Sequence, residues 1–124
     1  MEEIKLSALG HTWILDLDGT ILKHNGYKID GQDSFLEGAK EFLQEIPDKD
    51  MIIFLTSRTE EYRGNTEEFL KTHGIRYDEI IYGAPYGERI LVNDQKPSGL
   101  NTSVAVNMKR DSYFNLKFAE DGAL

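Results

Sequence analysis

Cysteine is absent from this 124-residue chain, and with it thiol catalysis, disulfides and thiolate metal sites. Proline occurs only three times, and no apolar run reaches membrane-spanning length. Basic residues are scarce. The 14 Lys and Arg against 22 Asp and Glu leave a net charge of −8, with an isoelectric point near 4.8. Nucleic acid and anionic membranes both call for a basic patch, so neither is an expected partner. The first ten residues include Glu2 and Glu3 and hold no apolar stretch of signal length. These absences predict a cytoplasmic protein with no nucleic-acid or membrane partner. The length suits one domain around one core, residues 1–124.

What is present is concentrated in Asp16-Leu17-Asp18-Gly19-Thr20. This stretch follows the apolar Trp13-Ile14-Leu15, where a buried strand over residues 12–17 ends and a loop begins. Leu17 separates the two acids and points to the opposite face, because strand side chains alternate. Like charges held this close call for a cation between them, or for one carboxyl to stay protonated.

Further along, Asn25-Gly26 between short mixed runs predicts a β-hairpin flap over about residues 21–31. Ser34 and Glu37 have the spacing of a capping box, opening a helix to Ile46 with Phe35, Phe42 and Leu43 on its apolar stripe. Residues 51–55 read as a strand closed by Thr56-Ser57-Arg58, residues 66–73 as a helix, and residues 79–82 as a short strand. Residues 89–92 read as another strand, ending at Asn93-Asp94, and residues 103–108 as the last. The tail, 109–124, has no clear period. Strands alternating with helices predict an α/β fold: a three-layer, Rossmann-like parallel sheet with helices on both faces. In such sheets polar groups gather at the carboxyl ends of the strands. Here three strand ends carry them: residues 16–20, 56–58 and 93–96.

These residues resemble the haloacid dehalogenase superfamily of phosphohydrolases. Asp16-Leu17-Asp18-Gly19-Thr20 is similar to its first motif, Thr56 to its second and Asp94 to its acidic fourth. The resemblance spans roughly residues 12–107. It implies a central Asp16 strand flanked by the strands that end at Thr56 and Asp94, with the Asn25-Gly26 hairpin as flap. Core elements already fill both intervals where a cap domain is inserted in this superfamily. A capless protein is therefore implied, with either a large substrate or a neighbouring subunit over the site. The third motif, a Lys or Arg on a helix before the Asp94 strand, has no room between Tyr82 and Arg89. Lys96 is the leading candidate for that cation, followed by Arg58 and Lys71.

The resemblance implies roles. Asp16 is the nucleophile that forms an aspartyl phosphate. Asp18 protonates the leaving oxygen and then activates water. Mg²⁺ is held by Asp16, the Asp18 carbonyl and Asp94. Thr56 holds a phosphate oxygen, helped by a backbone N–H of Ser57 or Arg58, and Lys96 clamps charge. His24, Tyr27 and Lys28 on the flap are placed where they could touch the leaving group, although simple exposure is the commoner state of such residues, and His11 and His73 read as structural. The expected activity is hydrolysis of a small phosphorylated metabolite. The segment 94–99, Asp-Gln-Lys-Pro-Ser-Gly, resembles capless members of capsule and surface-polysaccharide synthesis, which points to a sugar or alcohol phosphate. A phosphotransferase or mutase, a non-catalytic phospho-acceptor module, and, last, a nucleotide-sugar glycosyltransferase with an Asp-x-Asp metal site are the competing readings.

Overall fold

The computed structural model describes residues 3–124. Its strands lie in two open parallel sheets. One pairs β1 (Glu3–Leu6) with β5 (Lys117–Glu120). The other has the order β2 (Thr12–Leu15), β3 (Met51–Leu55), β4 (Glu79–Ile81). Parallel neighbours need crossovers, and helices supply them. A single turn, α1 (Gly26–Ile29), and then α2 (Ala39–Glu45) lie between β2 and β3. A 3₁₀ turn (Glu60–Tyr62) running into α3 (Arg63–Thr72) lies between β3 and β4. The α/β class with parallel strands is thus as expected. Among the described residues no helix is long and apolar enough to cross a membrane.

The register puts Trp13 beside Ile52, Leu15 beside Phe54, and Phe54 in turn beside Ile80, on one face. All five are buried, in one cluster with Phe42 and Leu43 of α2 and Leu70 of α3. The Trp13 ring meets Phe42 edge-on at 5.4 Å between centroids. The opposite face has no such cover: Ile14, Met51 and Ile81 are about half exposed. Helices on both faces were expected; in the described residues the apolar stripes of α2 and α3 join a single cluster, which leaves one face open.

Other expectations are corrected. The Asp16 strand is not central; β2 is an edge strand, and β3 occupies the middle. The flap has no tight hairpin turn. Asn25 adopts φ 56° and its carbonyl accepts the N–H groups of Lys28 and Ile29, so the tip is the helical turn α1. The base of the flap is nonetheless antiparallel: Leu22 bridges Phe35, the Lys23 N–H donates to Ser34 O, and the Leu36 N–H donates to Ile21 O. That bridge claims residues 35 and 36, so Ser34 does not cap a helix and α2 begins four residues later than a Ser34 cap requires. Its N-cap is Gly38, in the left-handed region at φ 88°, where a Cβ would collide with the Phe114 carbonyl oxygen.

Residues 89–92 and 103–108 form no strand. Ile90 and Val92 are 85% and 90% exposed. A crossover back to a parallel position needs a dozen or more residues, and only a short loop follows β4. The tail is more ordered than its lack of period suggested. It contributes β5, a buried Phe114 whose ring lies tilted against Phe42 at 4.6 Å, and Phe118, which packs against Trp13 at 4.9 Å.

Candidate active site

Asp16 is the first residue past β2, and the turn after it is wound tightly. The Leu17 carbonyl accepts from the N–H groups of Thr20, Ile21 and Leu22, while Leu17 itself is wholly buried. Gly19, at φ 86°, makes this winding accessible, and the side chain of Arg110 comes within 3.0 Å of where its Cβ would be. Both acids are thereby held at the carboxyl edge of the sheet. They face a cleft of about 250 Å³ whose walls include Ser57, Arg58, Arg89 and Arg110.

Arg58 organises this cleft. Its Nε and Nη2 donate to the two carboxylate oxygens of Asp18 at 3.0 and 2.9 Å. Its Nη1 and Nη2 donate to the two oxygens of Asp33 at 3.0 and 2.7 Å, and Nη1 donates also to Thr66 Oγ1 at 2.9 Å. The guanidinium lies 4.0 Å from the centre of the Tyr27 ring. Every N–H of the fork is therefore engaged, twice in the bidentate geometry that suits arginine and not lysine. Arg58 is 3% exposed and Asp33 is buried. Burial works against the Arg58 charge, but hydrogen bonds to Asp33 and Asp18, together with their charges, hold it protonated more firmly than usual.

Asp16 is in a different electrostatic position. Burial raises its pKa above the ordinary aspartate value, and the Asp18 charge adds to the rise. Arg89, the Leu17 N–H and the Thr20 hydroxyl pull the other way; Thr20 Oγ1 donates to Asp16 at 3.3 Å. Arg89 also reaches Ser57 Oγ at 3.3 Å. Asp16 is the less encumbered of the two acids, whereas both oxygens of Asp18 already accept from a buried cation.

The structure brings together only part of the predicted set. Asp16, Asp18, Ser57 and Arg58 line the cleft, and so do Tyr27 and Lys28 from the flap. Thr56 does not: it is wholly buried, and its Oγ1 accepts the Arg58 N–H at 3.1 Å. His24 also lies off the cleft wall, its main-chain N–H donating to Asp111. Asp94 and Lys96 are exposed residues outside the cleft, because the strand meant to carry them is not in the sheet. Lys71 is an exposed residue on α3, likewise outside the cleft. Sequence reasoning missed Asp33, Arg89 and Arg110. Asp33 carries no local motif, and Arg110 sits in a tail without periodicity. Arg89 was read only as the start of a strand.

A second depression of about 270 Å³ along β1 and β5 is lined by Lys5, Ala119, Glu120, Asp121 and Gly122, away from Asp16 and Asp18.

No family model matches the chain, and no curated protein matches it. Among solved structures it is similar to a chain of "Structure of the Pnkp1/Rnl/Hen1 RNA repair complex", at 27% identity and a TM-score of 0.52. The likeness covers 68% of this chain and 29% of that one, so the present chain spans under a third of that protein's length.

Proposed function

We propose that this chain is a phosphomonoester hydrolase of the haloacid dehalogenase type, with Asp16 as nucleophile. The observation that carries this reading is the placement of Asp16 and Asp18 at the carboxyl end of β2, on a cleft that Lys28, Arg58, Arg89 and Arg110 line together with one further acid, Glu61. An anionic ester needs positive charge to approach an anionic nucleophile. Arg89 and Arg110 supply it here, since the donors of Arg58 are already spent.

In the forward step an Asp16 carboxylate oxygen attacks phosphorus and the bond from phosphorus to the alcohol oxygen breaks. In its acid form Asp18 gives the leaving oxygen its proton, the one it regains from water in the next step. Water then attacks the aspartyl phosphate, Asp18 takes its proton, and the bond to Asp16 breaks to release inorganic phosphate. A carboxylate offers about four lone-pair sites, so each Asp18 oxygen keeps one free while it accepts from Arg58. Arg58 thus fixes the direction of Asp18 without consuming it.

Magnesium is the ion that the resemblance implies. The single copy does not present the expected ligands: Asp16 and Asp18 are at the cleft, and Asp94 is not. Among the described residues no three His, Cys, Asp or Glu gather into a metal-binding group.

The cleft volume falls slightly below that of ordinary small-molecule pockets, roughly 300–1,000 Å³. That favours a small ester such as a sugar or alcohol phosphate. A second substrate reading is a phosphate at the end of an oligonucleotide. Tyr62 and the 91%-exposed Tyr86 stand beside Arg89 and Arg110, the aromatic and cationic mixture that suits a base and its phosphates. The likeness to a chain of an RNA repair complex points the same way. Phosphate release should be measured over sugar phosphates and end-phosphorylated oligonucleotides, with and without Mg²⁺. Asp16→Asn is expected to lower the rate about a thousandfold or more. Equal rates in the variant and the wild type would refute the assignment, and the better substrate class decides between the two readings.

A further inference from the structure

Two unsatisfied features occur in the same chain. The first is the outer edge of β2. Among the described residues Thr12–Leu15 pair with β3 alone, and no other main-chain hydrogen bond reaches them, so half of their N–H and C=O groups face outward unpaired. The second is the projecting arm, residues 89–106. Its tip closes on itself: the Lys96 N–H donates to Leu100 O at 2.9 Å, and Asn93 Nδ2 donates to Thr102 Oγ1 at 2.9 Å. Along it Ile90, Leu91, Val92, Val104 and Val106 are all exposed. Ile90-Leu91-Val92 is continuously apolar, the composition of a strand covered on both faces in a parallel sheet.

The arm cannot reach the β2 edge of its own chain in the parallel sense. The Gly83 N–H donates to Arg58 O and the Ala84 N–H to Thr56 O, which pins the chain at the carboxyl edge of the sheet. From Ala84 to Ile90 the backbone spans at most about 21 Å. A parallel strand beside β2 must begin about 17 Å back along the strands and about 10 Å to the side. The direct line, about 20 Å, runs through the sheet, and the path around it is longer than the chain allows. A second copy meets no such limit.

We infer that the arm of one copy adds as a parallel strand to the β2 edge of a second copy, and that Asp94 of each thereby stands beside Asp16 of the other. With Ile90 laid beside Thr12, Leu91 falls beside Trp13, Val92 beside Ile14, and Asp94 beside Asp16. Leu91 then extends the buried row of Trp13 and Ile52, and Val92 extends the row of Ile14 and Ile53 on the open face. Asp94 follows its apolar run by one residue more than Asp16 follows Leu15, and the register absorbs this through Asn93 beside Leu15. The exchange is reciprocal, so one two-fold axis closes both pairings. The pairing stands independently of the chemistry, whereas the role of Asp94 rests on the phosphatase reading. There Asp16, the Asp18 carbonyl and Asp94 from the other copy would be the oxygen ligands for Mg²⁺, which one copy does not bring together.

The absence of cysteine gives a direct test. Ile14→Cys and Val92→Cys chains, mixed under mild oxidation, are expected to form a covalent heterodimer at least about tenfold faster than Ile14→Cys mixed with Ile29→Cys, whose site is also exposed. Wild type is expected to sediment at twice the 14.2 kDa chain mass. Asp16→Asn and Asp94→Asn chains, each inactive alone, should regain about a quarter of wild-type activity when mixed, since half of the dimers are mixed and each has one intact site. A wild-type monomer whose activity still depends on Asp16, with no preferential cross-link, overturns the exchange and leaves the phosphatase reading standing. Full activity in Asp16→Asn overturns the phosphatase reading, and the cross-link then decides the pairing by itself.

Discussion

The packed body and the projecting arm use the same residues to opposite effect. Ile52 and Phe54 in β3 are wholly buried; Phe54 is flanked by a paired strand on both sides and Ile52 by β2 on one. Ile90 and Val92, in a run just as apolar, are almost fully exposed. Composition does not separate the two. Connection length does: β3 follows a long crossover through α2, while residues 90–92 follow a short loop pinned at its start. An apolar run becomes a strand only when the chain can deliver it to a free edge.

The comparison can be broken most severely from inside the body. Arg58→Ala leaves the carboxylates of Asp18 and Asp33 without their counter-charge, Asp33 within the core. The expected loss is about 3–5 kcal/mol in urea unfolding. Arg58→Lys should recover little of it, because an ammonium cannot make two bidentate pairs. Truncation sharpens the contrast directly. Ile52→Ala is expected to cost about 2–5 kcal/mol. Ile90→Ala should stay within about 0.5 kcal/mol when measured well below the association range. A large loss at Ile90 in a monomer would place the arm inside the body.

Next in size is Asp50, which is 2% exposed and accepts from Trp13 Nε1 at 3.0 Å and from the His11 main-chain N–H at 3.0 Å. Burial raises its pKa, but these bonds and the His11 ring outweigh that, so its carboxyl stays below the ordinary range. Its ionised form therefore stabilises the fold above the ordinary aspartate value, and this contribution disappears as pH falls through the lowered one. Asp50→Ala should cost about 1–3 kcal/mol at neutral pH, and the gap from wild type should narrow in acid.

The smallest effect has the opposite sign. The pKa of Asp16 is raised on folding, so ionising it at neutral pH opposes folding. Asp16→Asn is expected to lift the thermal midpoint modestly, by less than about 4 °C, with the gain vanishing below the ordinary aspartate range. A fall in the midpoint at neutral pH would show that the carboxylate is satisfied better than its burial suggests.

Much of the body was legible because its signals are local. The apolar runs before Asp16 and Thr56 became β2 and β3, and Gly74 closed α3 as a C-terminal stop, its N–H donating to Lys71 O. The acids and Arg58 reached one cleft because both follow strands that pair in parallel. Signals failed where a distant partner outbid the local one. The Ser34 cap lost to the Leu22–Phe35 bridge, and the tail gained its order from Phe114 and Phe118 against Phe42 and Trp13. Arg58 was named as a candidate cation, but its anchoring by Asp18 and Asp33 was invisible for the same reason: they lie 40 and 25 residues away in sequence. The strand expected at 89–92 failed for want of chain, a quantity that no window of residues measures.

The parallel pair of β1 and β5 has a mechanical meaning. Glu3 lies beside Lys117 and Leu6 beside Glu120, so tension between Glu3 and Glu120 slides the strands lengthwise. Their rungs then carry the load together instead of opening one after another. Lys49 braces the same place, bonding both the Glu120 carboxylate and the Ala8 carbonyl. Pulled along that line, the small sheet acts as a shear clamp, and through Phe118 it is fastened to the hydrophobic interior.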